Sequence, residues 1–287
     1  MTALEFPLLP PAEILALEEV LLDAAEAGEL GETLSFWESP APFVVLGYGN
    51  KVAAEVNQAA CERLNIPILR RISGGGTVLQ GPGVLNYSLI LRAAEDTPLA
   101  SINGANRFIM ERNAAALTEL LNTERGTGNT EQSGATFNIQ HSTSNAEAGP
   151  NYPPPDPRRE PPDPELTVTV QGHTDLAIAG RKFSGNAQRR KRTHLLFHGS
   201  ILLNADLKLI EQVLPFPSLQ PDYRQSRSHV DFLTQFPASP EQIKRHLTGA
   251  WEASPGQLEN VMGSQQRVER LRRLAEKYLS DSWNLKA

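Results

Sequence analysis

Two segments of this chain carry residues whose types and spacing suit chemistry on an anion. The first, Arg70-Arg71-Ile72-Ser73-Gly74-Gly75-Gly76-Thr77, leads two permanent cations into three successive residues that lack Cβ. Backbone N–H groups can approach a bound phosphate or acyl group closely there, and the guanidinium forks add charged donors. It is not a P-loop, because no Gly-Lys-Ser/Thr follows, and the GxGxxG spacing of a dinucleotide fold is missing. A glycine-rich turn that only solves a backbone problem is the competing reading. The second segment is Gly180-Arg181-Lys182-Phe183-Ser184-Gly185-Asn186-Ala187-Gln188. In a regular strand Lys182 and Ser184 point to one face, and Arg181 and Phe183 to the other. A lysine delivered to an inner face is costly unless it meets an anion, such as a carboxylate and a phosphate being joined in an acyl-adenylate. On an edge strand it would simply be solvated. The run Arg189-Arg190-Lys191-Arg192 that follows reads as a solvated loop, or as a patch for an ATP tail or an acidic protein.

His194 and His198 stand four apart, a spacing that suggests zinc. The glutamate of HExxH is absent and no other cluster supplies a third ligand, so no metal site is expected. His198, just before Gly199, is expected to position backbone or substrate by hydrogen bonds. The single cysteine, Cys61, falls in a predicted helix, where a small buried thiol is an ordinary core residue.

The elements that must position these groups follow from periodicity. After Pro10-Pro11, apolar residues recur at Ile14, Leu17, Leu21 and Ala24, the spacing of a helix with Glu18 and Glu19 on the solvent side or its edge. Residues Thr33–Trp37 and Phe43–Gly47 read as a strand pair. Next come a helix over Val56–Leu64, an extended segment Ile66–Arg70, the glycine-rich loop, β-prone Thr77–Leu79 and extended Asn86–Leu91. A long helix is expected over Ile102–Leu121. Strands resume at Leu166–Val170, Thr174–Ala179, Lys182–Ala187 and Leu195–Leu203, with Gly172 and Gly180 as turns. Helices over Pro240–Glu252 and Ser254–Leu279 close the chain.

Between about residues 122 and 164 the composition shifts to Gly, Ser, Thr, Asn and Gln, with eight prolines from Pro150 to Pro164. So few apolar residues cannot offset ordering entropy, and a mobile, Pro-rich insertion in one catalytic domain spanning 1–287 is expected. A net charge of −6 argues against nucleic acid as a partner. No apolar run approaches the roughly 18 residues of a membrane span, and the acidic N-terminal stretch lacks the order of a secretory signal. One cysteine excludes an internal disulfide, and a cytoplasmic location is expected.

Taken in order, these segments resemble the lipoate-protein ligase A and octanoyltransferase superfamily. The resemblance rests on Phe36-Trp37-Glu38, Val44-Val45-Leu46-Gly47, the Arg70–Val78 signature, Asn86-Tyr87-Ser88, Gly172–Leu176, Lys182–Gln188, His198–Leu203, Lys277-Tyr278 and Ser282-Trp283-Asn284. It implies an α+β fold: a biotin-protein-ligase-like catalytic core of mixed β-sheets flanked by helices. It implies a lipoate-protein ligase with ATP and Mg2+ as cofactors, which forms or uses lipoyl-adenylate and passes the lipoyl or octanoyl group to a protein lysine. Lys182 would be the catalytic residue. Arg70, Ser73, Gly74, Gly75, Gly76 and His198 would bind the acyl group, and Thr77, Asn86, Asp175, Lys182, Ser184, Gly185 and Ala187 the nucleotide. The implied partners are lipoyl-acceptor domains of 2-oxoacid dehydrogenase complexes or glycine-cleavage H protein. A chain ending at Ala287 leaves no room for a C-terminal accessory domain, which makes a separate accessory subunit a candidate partner.

Two features depart from the family. Gln80 stands where the family usually has histidine, and no cysteine lies near the lysine strand, where the thioester-forming acyltransferases carry theirs. An ATP-independent octanoyl or lipoyl acyltransferase, and a non-catalytic lipoate or lipoyl-domain binder, are the alternatives.

Overall fold

Helix α1 (Pro11–Glu26) shows how the chain builds its core. Proline at its first position suits the helix start. Leu15, Leu17, Leu21 and Leu22 leave no wide polar face, and a helix apolar all round is buried. Glu18 is accordingly only 3% exposed, against the expectation that it faces solvent. In the computed structural model, which describes residues 1–126, 167–217 and 220–286, α1 lies between strand β1 (Thr2–Glu5) and strand β2 (Thr33–Trp37) in the chain. There follow β3 (Phe43–Leu46), α2 (Val52–Glu55), α3 (Gln58–Arg63), β4 (Ile68–Arg70), β5 (Val78–Gln80), β6 (Val84–Arg92) and α4 (Ile102–Gly126). After residue 166 come β7 (Thr169–Gln171), β8 (Asp175–Ile178), β9 (Arg181–Arg190), β10 (His194–Leu202), α5 (Leu207–Val213), α6 (His229–Phe232) and α7 (Pro240–Ala250). Strand β11 (Ser254–Pro255), α8 (Leu258–Met262), α9 (Gln265–Leu279) and α10 (Asp281–Asn284) complete the order. The expected Pro-rich insertion falls almost entirely outside the described residues.

The strands form an eight-stranded sheet in the order β11-β1-β2-β6-β10-β9-β8-β7 and a three-stranded sheet β4-β3-β5. With its parallel and antiparallel pairs and flanking helices, this is the α+β class expected. The expected pairing of β2 with β3 does not occur: β2 joins β1 and β6 in the large sheet, and β3 joins β4 and β5. Pro40 and Pro42 in the connection offer no N–H to a ladder, and the chain crosses there from one sheet to the other. The single C-terminal helix expected from Ser254 is also divided. Pro255-Gly256 and Gly263 break the pattern, and Ser254–Pro255 pairs with β1 instead. Strand β1 and the short helices α5 and α6 carried no signal strong enough to be expected.

Strand β10 sits at the centre of the large sheet. Its Leu195, Phe197 and Ile201 pack with Ile109 and Leu117 of α4 and Ile243 and Leu247 of α7. On its other face, Leu196 joins Leu17 and Leu21 of α1 and Tyr278 of α9, while Leu202 joins Val44, Leu46 and Val213. Between those two cores the same face carries His198 and Ser200. Beside them on β6, between Ile90 and Val84, lie Ser88 and Asn86. A strip of polar residues therefore crosses the inside of the sheet between two apolar cores.

Strand β9 departs from regular alternation. Leu176 pairs with Ser184 and Ala177 with Lys182, so Phe183 is an extra residue, a β-bulge. Phe183 enters the first core against Phe236, and Lys182 and Gly185, three apart, come to the same side. The expected shared face of Lys182 and Ser184 is corrected by this bulge.

Leu17 is 1% exposed and Leu279 70%. Leu17→Ala should therefore cost about 2–5 kcal/mol in urea denaturation, and Leu279→Ala should stay within about 0.5 kcal/mol of the parent.

Candidate active site

The polar strip is roofed by the glycine-rich loop between β4 and β5. Gly75 has φ +83°, and a Cβ there would lie 3.1 Å from Arg71 Nη2 and 3.2 Å from Ala187 Cβ, so a side chain would be both strained and tightly packed. Arg71 holds the loop from inside: Nη2 donates to the carbonyls of Gly74 and Gly76, both at 2.8 Å. Burial brings its pKa down to about 10, with the nearby Glu18 carboxylate acting in the opposite direction.

Beneath the loop lies a cavity of about 170 Å³, lined among others by Leu15, Trp37, Val45 and Val78 on its apolar side and Gly75, Gly76, Lys182 and His198. It opens on a second cavity of about 980 Å³, lined among others by Thr77, Ser184, Tyr223 and Arg224. Gly75, Gly76, Thr77, Asp175, Lys182 and Gly185 line both, so Lys182 stands at the junction. Its Nζ is 2.7 Å from Asp175 Oδ1. A Cβ on Gly185 would lie 2.8 Å from that Nζ, so the bulge and the missing side chain together let the ammonium lie back over the strand. Tyr223 donates its hydroxyl proton to Asp175 Oδ2 at 2.8 Å. Burial, followed by the Asp175 charge, pushes the Tyr223 pKa up, so it remains a donor.

The strip itself is knit by two hydrogen-bonded chains. In the first, Trp37 Nε1 donates to Glu18 Oε1 at 3.2 Å, Glu18 Oε2 lies 2.7 Å from His198 Nδ1, and His198 Nε2 lies 2.6 Å from Ser73 Oγ. In the second, Gln80 Nε2 donates to Ser200 Oγ at 2.7 Å, and Ser200 donates to Asn86 Oδ1 at 2.8 Å. His198 thus bridges a buried carboxylate and the Ser73 hydroxyl of the glycine-rich loop.

Not every expected residue reaches the cavities. Gly75, Gly76 and His198 line the smaller one, and so do Asn86 and Ala187, which had been expected at the nucleotide. Ser184 lines only the larger one, and Thr77 lines both while accepting from Asn50 Nδ2 at 3.0 Å. Ser73 is wholly buried and acts through His198, and the Gly74 carbonyl is taken up by Arg71. The expectation for Arg70 is corrected outright. Its guanidinium donates to the carbonyls of Gly47, Tyr48, Asn50, Trp283, Asn284 and Lys286, leaving it no donor for an acyl group. It ties α10 to the turn beside the loop. Glu18, Tyr223 and Arg224 were not foreseen, and Arg71, expected to add a charged donor for a bound anion, instead donates to the carbonyls of the loop itself. For Glu18 the signal was present in the apolar surroundings of α1.

Cys61, 1% exposed in α3, packs in the core with Val44 and Val213, lines neither cavity, and has its pKa raised by burial. Among the described residues no three His, Cys, Asp or Glu side chains come together as a metal site, and no helix is long and apolar enough to cross a membrane.

Residues 10–251 match the family described as "Lipoyl protein ligase A/B catalytic domain", and this chain belongs to that family. It is 27% identical over 288 residues to "Octanoyltransferase LipM" of Geobacillus kaustophilus, covering 96% of this chain and 95% of that one. With "Octanoyltransferase LipM" of Bacillus subtilis the identity is 26%, covering 96% and 94%. The fold is shared with the bipartite lipoate protein ligase of Thermoplasma acidophilum (TM-score 0.68, 17% identity, 99% of this chain and 95% of that one). It is shared also with lipoate-protein ligase A bound with ATP (TM-score 0.62, 19% identity, 99% of each chain).

Arg70→Met leaves six carbonyls without their donor and should cost about 3–5 kcal/mol in denaturant unfolding. Arg189→Met, an exposed residue on β9, should change stability by no more than about 0.5 kcal/mol.

Proposed function

We propose that this chain transfers an octanoyl or lipoyl group to the ε-amine of a lysine on a lipoyl-acceptor domain, with Lys182 at the reacting carbonyl. The observation that carries this reading is the place of Lys182, held by Asp175 where a narrow, partly apolar cavity meets a wide one. The narrow cavity suits an acyl tail against Leu15, Trp37, Val45 and Val78. Its carbonyl then lies at the ammonium, which neutralises the negative charge that develops on oxygen as the acceptor amine attacks. The carbon–donor bond breaks, the amide C–N bond forms, and the amine's proton leaves with the donor group.

The name borne by the LipM relatives favours a preformed octanoyl donor, such as an acyl carrier protein, used without ATP. Formation of an acyl-adenylate from ATP is a second reading, favoured by two observations. The single thiol is enclosed in a core, so it offers no thiolate for a covalent intermediate, and the larger cavity beside Lys182 has room for a nucleotide. In that reading Asp175 is the side chain beside Lys182 that could help hold a magnesium ion, which would supply charge neutralisation at the phosphates. The acceptor is in either case a lipoyl domain of a 2-oxoacid dehydrogenase complex or the H protein.

The test is the mass of an acceptor domain after incubation with octanoyl-carrier protein alone, or with lipoate, ATP and magnesium. Wild-type product is expected, within about twofold in Cys61→Ala and reduced at least about 100-fold in Lys182→Ala. Undiminished product in Lys182→Ala would overturn the role of that residue. Loss of product in Cys61→Ala would overturn the account of the site without a thiol.

A further inference from the structure

The larger cavity contains a cation, Arg224, that forms no ion pair among the described residues. Arg224 is 4% exposed at the end of a 3-10 turn, Asp222–Arg224, and lines this cavity together with Gly76, Thr77 and Lys182. Its guanidinium carbon lies over two rings, 4.8 Å from the centroids of both Phe216 and Phe232. Its Nε donates to the Arg227 carbonyl at 3.0 Å, but the buried Nη2 has no partner. The carboxylate that lines the cavity nearest the lysine, Asp175, is taken up by Lys182 and Tyr223.

Arg70 places its guanidinium on six carbonyls, and Arg227 donates to the carbonyls of Gly180, Tyr223 and Arg224. Of these three, Arg224 alone has a buried guanidinium nitrogen with no acceptor. A buried cation without a counter-charge is unfavourable, and a guanidinium presents a fork that matches the paired oxygens of a phosphate or carboxylate.

We propose that Arg224 binds a phosphate group of the acyl donor. This rests on the reading that Lys182 receives the acyl carbonyl, for the carboxyl end of the acyl group is then accounted for at the mouth of the narrow cavity. Both candidate donors carry phosphate beyond that point: the phosphodiester of a phosphopantetheine arm, or the phosphates of a nucleotide. The shared chemistry is the phosphate, and the two sources are separated by experiment.

Two arms use wild type, Arg224→Gln and Arg224→Lys. In the first, octanoyl transfer to an acceptor domain is compared between octanoyl-phosphopantetheine and octanoyl-pantetheine, the same thioester without the phosphate. In the second, transfer from octanoate is measured as a function of ATP concentration. The expected result is a wild-type preference of tenfold or more for the phosphorylated thioester, or a tenfold rise in the KM for ATP in Arg224→Gln. In the thioester arm, Arg224→Gln should bring the preference to within twofold, with Arg224→Lys intermediate. Because the readout is a ratio between donors, a general loss of fold or activity does not imitate it. Calorimetric binding of phosphopantetheine and of ATP, without any acyl group, keeps the test independent of turnover: one of the two should bind tenfold more weakly to Arg224→Gln. Equal binding and unchanged phosphate dependence in both arms would overturn the proposal. Failure of wild type to transfer from either donor, with probe binding still dependent on Arg224, would overturn the transfer reading and leave the phosphate site standing.

Discussion

Buried polar groups must find partners inside the protein, and the middle of the large sheet presents a whole row of them. Leu196 and Leu202 anchor β10 in two separate apolar cores, and His198 and Ser200 lie between. Asn86 and Ser88 extend the row across β6. Burial of such groups without hydrogen bonds would cost several kcal/mol, and His198 and Ser200 are both met from other elements. Glu18 reaches His198 from α1, Ser73 meets it from the glycine-rich loop, and Gln80 meets Ser200 from β5. The need to satisfy one strip of polar residues thus fixes where α1, the loop and the small sheet sit. The cavity is the space that this arrangement leaves.

The same constraint explains the uneven use of charge. Arg70 and Arg71 are neighbours in sequence, yet both act on carbonyls: Arg70 closes the C-terminal turn against β4, and Arg71 props the loop from within. Lys182 is different, for its partner Asp175 is a carboxylate at the rim, and a bulge brings the ammonium over Gly185. A cation at that position is held in place while remaining in contact with both cavities.

Much of this was legible in the residues themselves. The helix over α1, the strands around Lys182 and His198, and the turns at Gly172 and Gly180, both at positive φ, follow from spacing and residue type. The ordered motifs also point to the family and its α+β class. What stayed hidden depends on tertiary pairing. Nothing local says that Phe183 is the extra residue of a bulge, or that Glu18 is turned inward to a histidine 180 positions away. Arg70 and Arg71 are alike in type, and only the position of α10 decides that Arg70 is enclosed by carbonyls. Tyr223 and Arg224 lie in a turn with no periodic signal, so their approach to the cavity could be read only from the fold.

The central claim is that the buried strip under the glycine-rich loop receives the acyl tail, with its carboxyl end at Lys182. A crystal structure of the protein with octanoate or lipoate bound tests it most directly. The account predicts an acyl chain running between His198 and Gly75–Val78, with a carboxylate oxygen within hydrogen-bond distance of Lys182 Nζ. An acyl chain lying wholly in the larger cavity, with Lys182 still engaged only by Asp175, would contradict it.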